Sequence, residues 1–370
     1  MIALDCCAGA GGLSLGLHRA GFDVLGVEWD ADACETHRRN VGPCELASLW
    51  DYSPTERYEL VAGGIPCQSH SMAGKRGGTC DPRGQLYVPF LRIAREAGAR
   101  AVLIENVRGM LTSPSATHGT ALLEIVDAVR AAGFAHTTAS VLNAADYGVP
   151  QKRHRLFIVG FVDAADLARF AWPVATHAET PDLFGLRRWV SVRDALGLPP
   201  GQLRMVRDSG AGAEREPRSV DEPSFTIRAG ASGRAPGGVR LLDQPAPCVT
   251  ATEYKSANTF GSEGAKTGPR RCGDQLNPLL TELARAGVLD RPSTTVDATN
   301  RLSAAGHHTT NKAGAVRLTV AQLAVLQSFP PDFEFVGTKK AQHRQVGNAV
   351  PPPLAEAVGR AVFAALGGAS

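Results

Sequence analysis

Along residues 1–162, short apolar runs alternate with stretches of helical spacing. Residues 2–6, 22–27, 60–62, 101–104 and 156–162 have the length and continuity of buried strands. Residues 13–20, 31–40, 85–97 and 121–132 lie between them and have the spacing of helices. Gly21 and Gly133 stand where the first and last of these helices should stop. Strand, helix and strand in repeated order predict an α/β fold with a doubly wound, mostly parallel sheet. The texture changes near Trp172. From there to about Val316, Gly, Pro, Thr and Arg dominate and helical periodicity fades. A turn followed by a short β-branched run recurs three times, at 221–227, 243–249 and 290–296, which predicts a smaller, irregular, β-rich unit. Helical spacing returns at 319–327 and 353–366, the second helix opening on prolines. The division expected is therefore one domain from 1–171 and 317–370, interrupted by a second at 172–316.

Composition narrows the class only a little. The chain has 370 residues, 44% of them hydrophobic and 20% charged, enough for two or three domains with a sizeable core. No apolar stretch reaches the roughly 20 residues that span a bilayer. Eight cysteines without a C-x-x-C pair, in a large chain with no basic and apolar leader, predict reduced thiols and a cytoplasmic home. Cys34, His37 and Cys44 could be imagined around a metal, but no fourth ligand has suitable spacing, so none is expected. A net charge of +3 does not announce nucleic acid. Most of the basic residues are Arg, the side chain suited to bidentate phosphate and guanine contacts.

The loops after the predicted strands carry the chemistry. Asp5-Cys6-Cys7-Ala8-Gly9-Ala10-Gly11-Gly12 joins the first strand to the first helix, where glycine lets a ligand approach the backbone. A dinucleotide fingerprint begun at Gly9 would need its last glycine where Ser14 stands, which disfavours a nicotinamide enzyme. Glu28 ends the second strand and can accept two ribose hydroxyls, while Trp29 offers a face for adenine. An adenosine cofactor without a pyrophosphate fits, pointing to S-adenosylmethionine. Cys67 follows a strand and a Gly-Gly-Ile-Pro turn, at the sheet edge where α/β proteins hold their ligands. A lone cysteine is more often buried and inert. Glu105 ends another strand, a place where a carboxylate is more often a cap. Gln151-Lys152-Arg153-His154-Arg155 sets Arg153 and Arg155 on one face of an extended segment; its bland reading is a solvated edge strand.

Taken in order, these pieces resemble the DNA (cytosine-5)-methyltransferase family. The glycine-rich motif matches residues 5–12, the acid-Trp pair Glu28-Trp29, and the nucleophile motif Pro66-Cys67-Gln68. Arg83-Gly84-Gln85-Leu86, Glu105-Asn106-Val107 and the Gln151–Arg155 segment follow in family order. The late motifs match Arg317-Leu318-Thr319 through Phe329-Pro330, and Gln345-Val346-Gly347-Asn348-Ala349-Val350-Pro351. The match covers residues 1 to about 161 and 316–366. Three positions depart from it. Cys7 stands where an aromatic is expected, His70 replaces the aromatic after the nucleophile motif, and Ser48, with Asp51 a shifted candidate, replaces the acid facing the adenine amine.

The resemblance implies a class I, Rossmann-like methyltransferase with 172–316 as its target-recognition domain. It implies catalysis by Cys67, Glu105, Arg153 and Arg155, the two arginines orienting the base and nearby phosphates. It implies a cofactor pocket from Cys7, Ala8, Gly9, Ala10, Gly11, Gly12, Leu13, Glu28, Trp29, Ser48, Leu49, Gly64, Pro66, Leu86, Asn348 and Ala349. DNA contacts fall to Gln68, Ser71, Arg83, Asn106 and Gln151. Within 172–316, 18 basic and 15 acidic side chains balance to +3, so a few placed contacts are expected there. Arg228, Arg234, Arg270 and Arg271 in Gly-rich loops are the candidates. The function expected is site-specific methylation of duplex DNA by a prokaryotic, monomeric enzyme, paired with a restriction endonuclease or another defence system. An RNA methyltransferase on the same scaffold and a non-enzymatic DNA-binding relative are the alternatives.

Overall fold

The computed structural model describes residues 1–65, 85–111, 121–180, 185–198, 204–207, 218–224, 239–242 and 315–368. Its centre is a seven-stranded sheet of β1 (Ile2–Cys6), β2 (Asp23–Glu28), β3 (Cys44–Leu46), β4 (Leu60–Gly64), β5 (Ala101–Val107), β6 (His136–Asn143) and β7 (His154–Phe161). The order across the sheet is β3-β2-β1-β4-β5-β7-β6. The first five strands are parallel. β7 runs antiparallel to both of its neighbours. Strand order reverses between β1 and β4, the crevice where open α/β sheets hold ligands.

Alternation along the strands builds two cores. Ala3, Leu60, Ala62, Ala101, Leu103, Phe157 and Val159 share one cluster with Leu13 and Leu17 of α1 (Gly12–Arg19) and with Leu354, Val358 and Val362 near the C-terminus. Leu4, Val61, Val102, Ile104 and Ile158 share the other with Phe90 and Ile93, and with Ile125 and Val129. Neighbours in sequence thus serve opposite faces, as a pleated strand demands. Around the sheet lie α2 (Ala31–Asn40), α3 (Tyr87–Glu96), α4 (Ala121–Ala131) and α5 (Ala164–Arg169), and farther along α6 (Val192–Leu196), α7 (Val320–Leu326), α8 (Lys339–Asn348) and α9 (Pro352–Ala365). A third cluster joins α6, α7 and α8 through Val192, Leu323, Leu326, Phe329 and Val346.

Of the elements that escape the hydrophobic pattern, three do so for visible reasons. β6 reads His-Thr-Thr-Ala-Ser-Val-Leu-Asn and lies at the sheet edge, so it needs no apolar run. β3 has only three residues. α8 is strongly polar, yet Thr338 caps it by accepting from the Ala341 amide. It stops at Asn348 because the residues before Pro351 favour extended backbone. Gly347 and Asn348 therefore form the last turn of a helix. The edge-strand reading of 151–155 is overturned: β7, which begins there, is an inner strand paired on both sides. Of the three turn repeats, the first is described as far as Ser224, which forms an isolated bridge with Gln151, and its β-branched run lies outside the described residues. The other two lie outside the described residues. A small antiparallel sheet orders 218–219, 204–207, 239–242 and 315–317.

Candidate active site

Parallel register brings the chemistry to one edge. Cys6 pairs with Val27 on one side and Gly63 on the other, and Gly64 pairs with Glu105. The loop after β1, the end of β2, the end of β4 and the end of β5 therefore lie side by side.

On the β1–β2 flank the glycine loop is tied down through its backbone. Glu28 Oε2 accepts from the Gly9 amide at 2.8 Å, and Oε1 accepts from Trp29 and Asp30 at 3.0 and 2.9 Å. Burial pushes the Glu28 carboxyl up, and these backbone donors partly offset it. Oε2 keeps acceptor capacity for a ligand hydroxyl. Nothing within 4 Å would meet a Cβ on Gly9, so space opens over the loop there. At Gly12 a Cβ would come 2.3 Å from the Val350 carbonyl, so only glycine permits this contact between the two ends of the chain. No side chain caps the N-terminus of α1. Ala8, Ala10 and Leu13 are buried beneath the loop, and Trp29 is 75% exposed beside it. Leu86 holds the N-cap position of α3 and Asn348 is exposed at the end of α8. Ser48 Oγ accepts from the Trp50 amide, and the Leu49 carbonyl accepts from Arg92 at 2.9 Å. Ser48 thus serves its local turn, and Leu49 ties that turn to α3.

A buried polar chain runs under this loop. Ser14 Oγ lies 2.6 Å from Asp5 Oδ2 and 2.9 Å from His37 Nε2, while His37 Nδ1 lies 3.2 Å from the Gly42 carbonyl. A carbonyl only accepts, so the ring proton belongs on Nδ1. Ser14 Oγ donates to Asp5 Oδ2, which works against the rise that burial causes there. Burial raises Asp5 to about 7 and lowers His37 to about 4. Ser14 thus has a use that its failure to match a dinucleotide motif did not reveal. His37 spends both ring nitrogens here, while Cys34 and Cys44 pack sulfur to sulfur at 3.2 Å. Among the described residues no group of three or more metal-ligating side chains is present.

On the β4–β5–β7 flank the groups are charged. Arg155 Nε lies 2.8 Å from Glu105 Oε1, and both side chains are nearly buried. Burial raises the Glu105 carboxyl, opposed first by Arg155 and then by Arg153. Glu105 Oε2 sits 3.4 Å from where a Cβ on Gly64 would stand.

Three residues expected at the base or DNA also hold parts of the protein. Arg153, expected at the base and its phosphates, is 1% exposed and donates to the Gly347 and Ala349 carbonyls at 3.0 and 2.9 Å. Asn106, expected at DNA, is buried and donates to the Ile65 carbonyl at 3.2 Å, one residue before Pro66. Gln151, also expected at DNA, is fully buried and donates to Gln327 Oε1 at 2.8 Å. Residue type alone cannot separate these uses, because a guanidinium or amide serves a phosphate and a carbonyl equally well. Pro66, Cys67, Gln68, Ser71, Arg83, Arg228, Arg234, Arg270 and Arg271 lie outside the described residues.

The chain is similar to known proteins over nearly its whole length. The chain is 32% identical over 377 residues to the Type II methyltransferase M1.HphI of Haemophilus parahaemolyticus, covering 97% of this chain and 86% of that protein. It is 33% identical over 369 residues to the Type II methyltransferase M.Eco47II of Escherichia coli, covering 97% and 78%. Among solved structures, the S. pombe Dnmt2 methyltransferase superposes over 99% of both chains with a TM-score of 0.55 at 15% identity, a likeness of fold. The sequence profile for C-5 cytosine-specific DNA methylases matches residues 1–364, and the chain belongs to that family.

Proposed function

We propose that this DNA (cytosine-5)-methyltransferase takes its methyl group from S-adenosylmethionine and acts on a cytosine flipped out of a specific duplex sequence, through a bond between Cys67 and C6. The observation that carries the reading is the convergence of the glycine loop, Glu28, Gly64, Glu105 and Arg155 on one sheet edge. The open space over Gly9 and the spare acceptor of Glu28 fit an adenosine, and exposed Trp29 offers a stacking face. Gly64, Leu86, Asn348 and Ala349 complete the proposed wall with Pro66. When bound, S-adenosylmethionine supplies an electrophilic methyl on a sulfonium.

The chain's own residues prepare the base. Cytosine C5 is a poor nucleophile until a thiolate adds to C6 and makes the ring an enamine. Cys67 supplies that thiolate. Glu105, when it carries a proton, donates to N3 and relieves the charge that addition creates; its burial favours that form. Arg155 orients Glu105 and the base. Loss of the C5 proton and elimination of Cys67 release 5-methylcytosine. A stacked base is out of reach of all these groups, so the cytosine must leave the duplex.

Residues 172–316 read the target, with 1–171 and 317–370 as the catalytic domain, and the enzyme acts as a monomer in a prokaryotic cytoplasm. A restriction endonuclease of matching specificity is the proposed partner, in keeping with relatives named Type II methyltransferases. Among the described residues no helix is long and apolar enough to cross a membrane. Cys67→Ala should abolish methylation while keeping cofactor affinity, and the wild-type enzyme should form a stable adduct with duplex DNA carrying 5-fluorocytosine. Methylation by the Ala variant, or no adduct, would remove Cys67 from the mechanism.

A further inference from the structure

α8 ends where Val350 and the prolines after it begin, so its last carbonyls lose the amides that a longer helix would supply. Buried carbonyls left in that state are costly. Two side chains from distant elements supply the donors. Arg153 donates to Gly347 and Ala349. Gln327, fully buried just after α7, donates to the Val346 carbonyl at 2.6 Å and reaches Ala349 at 3.5 Å. Its own oxygen accepts from Gln151, whose amide also donates to the Leu326 carbonyl at 3.3 Å. The residue after it, Ser328, holds a left-handed backbone at φ 63, unusual for a non-glycine residue. A guanidinium at a helix C-terminus also suits the helix dipole.

These bonds converge on the segment that closes over the glycine loop, where the Val350 carbonyl fills the space a Gly12 side chain would need. We propose that Gln327 and Arg153 are positioning residues of the cofactor pocket, holding the Val346–Ala349 carbonyls so that the end of α8 is set against Gly12. The proposal rests on the reading of Asn348 and Ala349 as part of that pocket. Neither side chain touches the cofactor; both act through the backbone they hold. Arg153 stands two residues from Arg155, so one extended segment sets both the cofactor wall and the partner of Glu105.

Titration of the purified protein with S-adenosylmethionine, without DNA, tests it. Gln327→Met keeps the volume and removes both donors; Arg153→Lys keeps the charge and loses the fork that spans two carbonyls. Each should weaken cofactor binding about tenfold, on the order of one or two buried hydrogen bonds. KM for S-adenosylmethionine should rise in step, and by a larger factor than kcat falls. A lowered melting temperature with unchanged cofactor affinity would overturn the proposal, as would a fall in kcat with KM unchanged. If Gln327→Met does not fold, Arg153→Lys decides the matter by the same readings. Gly12→Ala and Asn348→Ala serve as references. If they bind the cofactor normally, the pocket reading itself fails; if they are impaired while the other two are not, only the positioning role fails.

Discussion

The two flanks of the β1–β4 crevice are built from different materials. On the β1–β2 flank the glycine loop is held by backbone amides on Glu28, above a buried Asp5–Ser14–His37 chain. On the β5–β7 flank a carboxylate and a guanidinium face each other in near-complete burial. The difference suits the proposed ligands. A sulfonium would bring its own positive charge, so its cradle would need shape and acceptors but no cation. A cytosine under attack by a thiolate would become negative, which nearby positive charge would favour.

The largest break in this contrast should come from Arg155→Ala. It removes the ion-pair partner of buried Glu105 and should cost about 3 kcal/mol at pH 8. Glu105 is already pushed up by burial and would rise further. A group with a raised folded pKa contributes stability at low pH and loses it as pH climbs through that value, so the penalty should shrink at pH 5. Chemical denaturation at both pH values checks this; an equal penalty would mean that Glu105 is not the group left unpaired.

The neutral chain makes a second, subtler prediction. Between about pH 4 and 6.5 the folded protein holds a proton on Asp5 and none on His37, while the unfolded chain does the reverse. Proton counts match, so these two groups contribute almost no pH slope. Asp5→Asn leaves only His37, whose depressed folded pKa makes stability rise with pH across that window. His37→Gln leaves only Asp5, whose raised pKa makes stability fall as pH rises toward about 7. Each slope should approach about 1.4 kcal/mol per pH unit, with opposite signs. Parallel slopes in denaturation midpoints from pH 4.5 to 6.5 would show that the two groups are not shifted in opposite directions.

The smallest expected effect sharpens the first flank. Glu28→Ala should weaken S-adenosylmethionine binding about 100-fold, since it loses the ribose acceptor and releases the Gly9 amide. Ser48→Ala should change it less than about threefold, because Ser48 Oγ serves the Trp50 amide. Calorimetry on the two variants decides whether Ser48 is a turn residue or a cofactor contact.

What the sequence disclosed follows the same division. Strands β1, β2, β4 and β5 are legible because burial on both faces demands continuous apolar runs. β6 and α8 are not, because an edge strand and a capped polar helix owe their form to neighbours. Of the site, Glu28 and Glu105 emerge from their places at strand ends. Arg153, Asn106 and Gln151 carry motif identity without address: among their partners are backbone carbonyls and a glutamine that only the folded chain brings near.

The contact between α1 and α9 has a consequence for synthesis. Gly16 lies so close to Ala355 that a Cβ there would fall 2.3 Å from the alanine methyl. The groove on α1 is therefore filled by a helix synthesised long after it. Until α9 is made, Leu13 and Leu17 lack the cover of Leu354 and Val358, so α1 and the strands beneath it wait for a segment distant in sequence. A nascent chain halted before α9 would hold every residue of the glycine loop and still lack its lid.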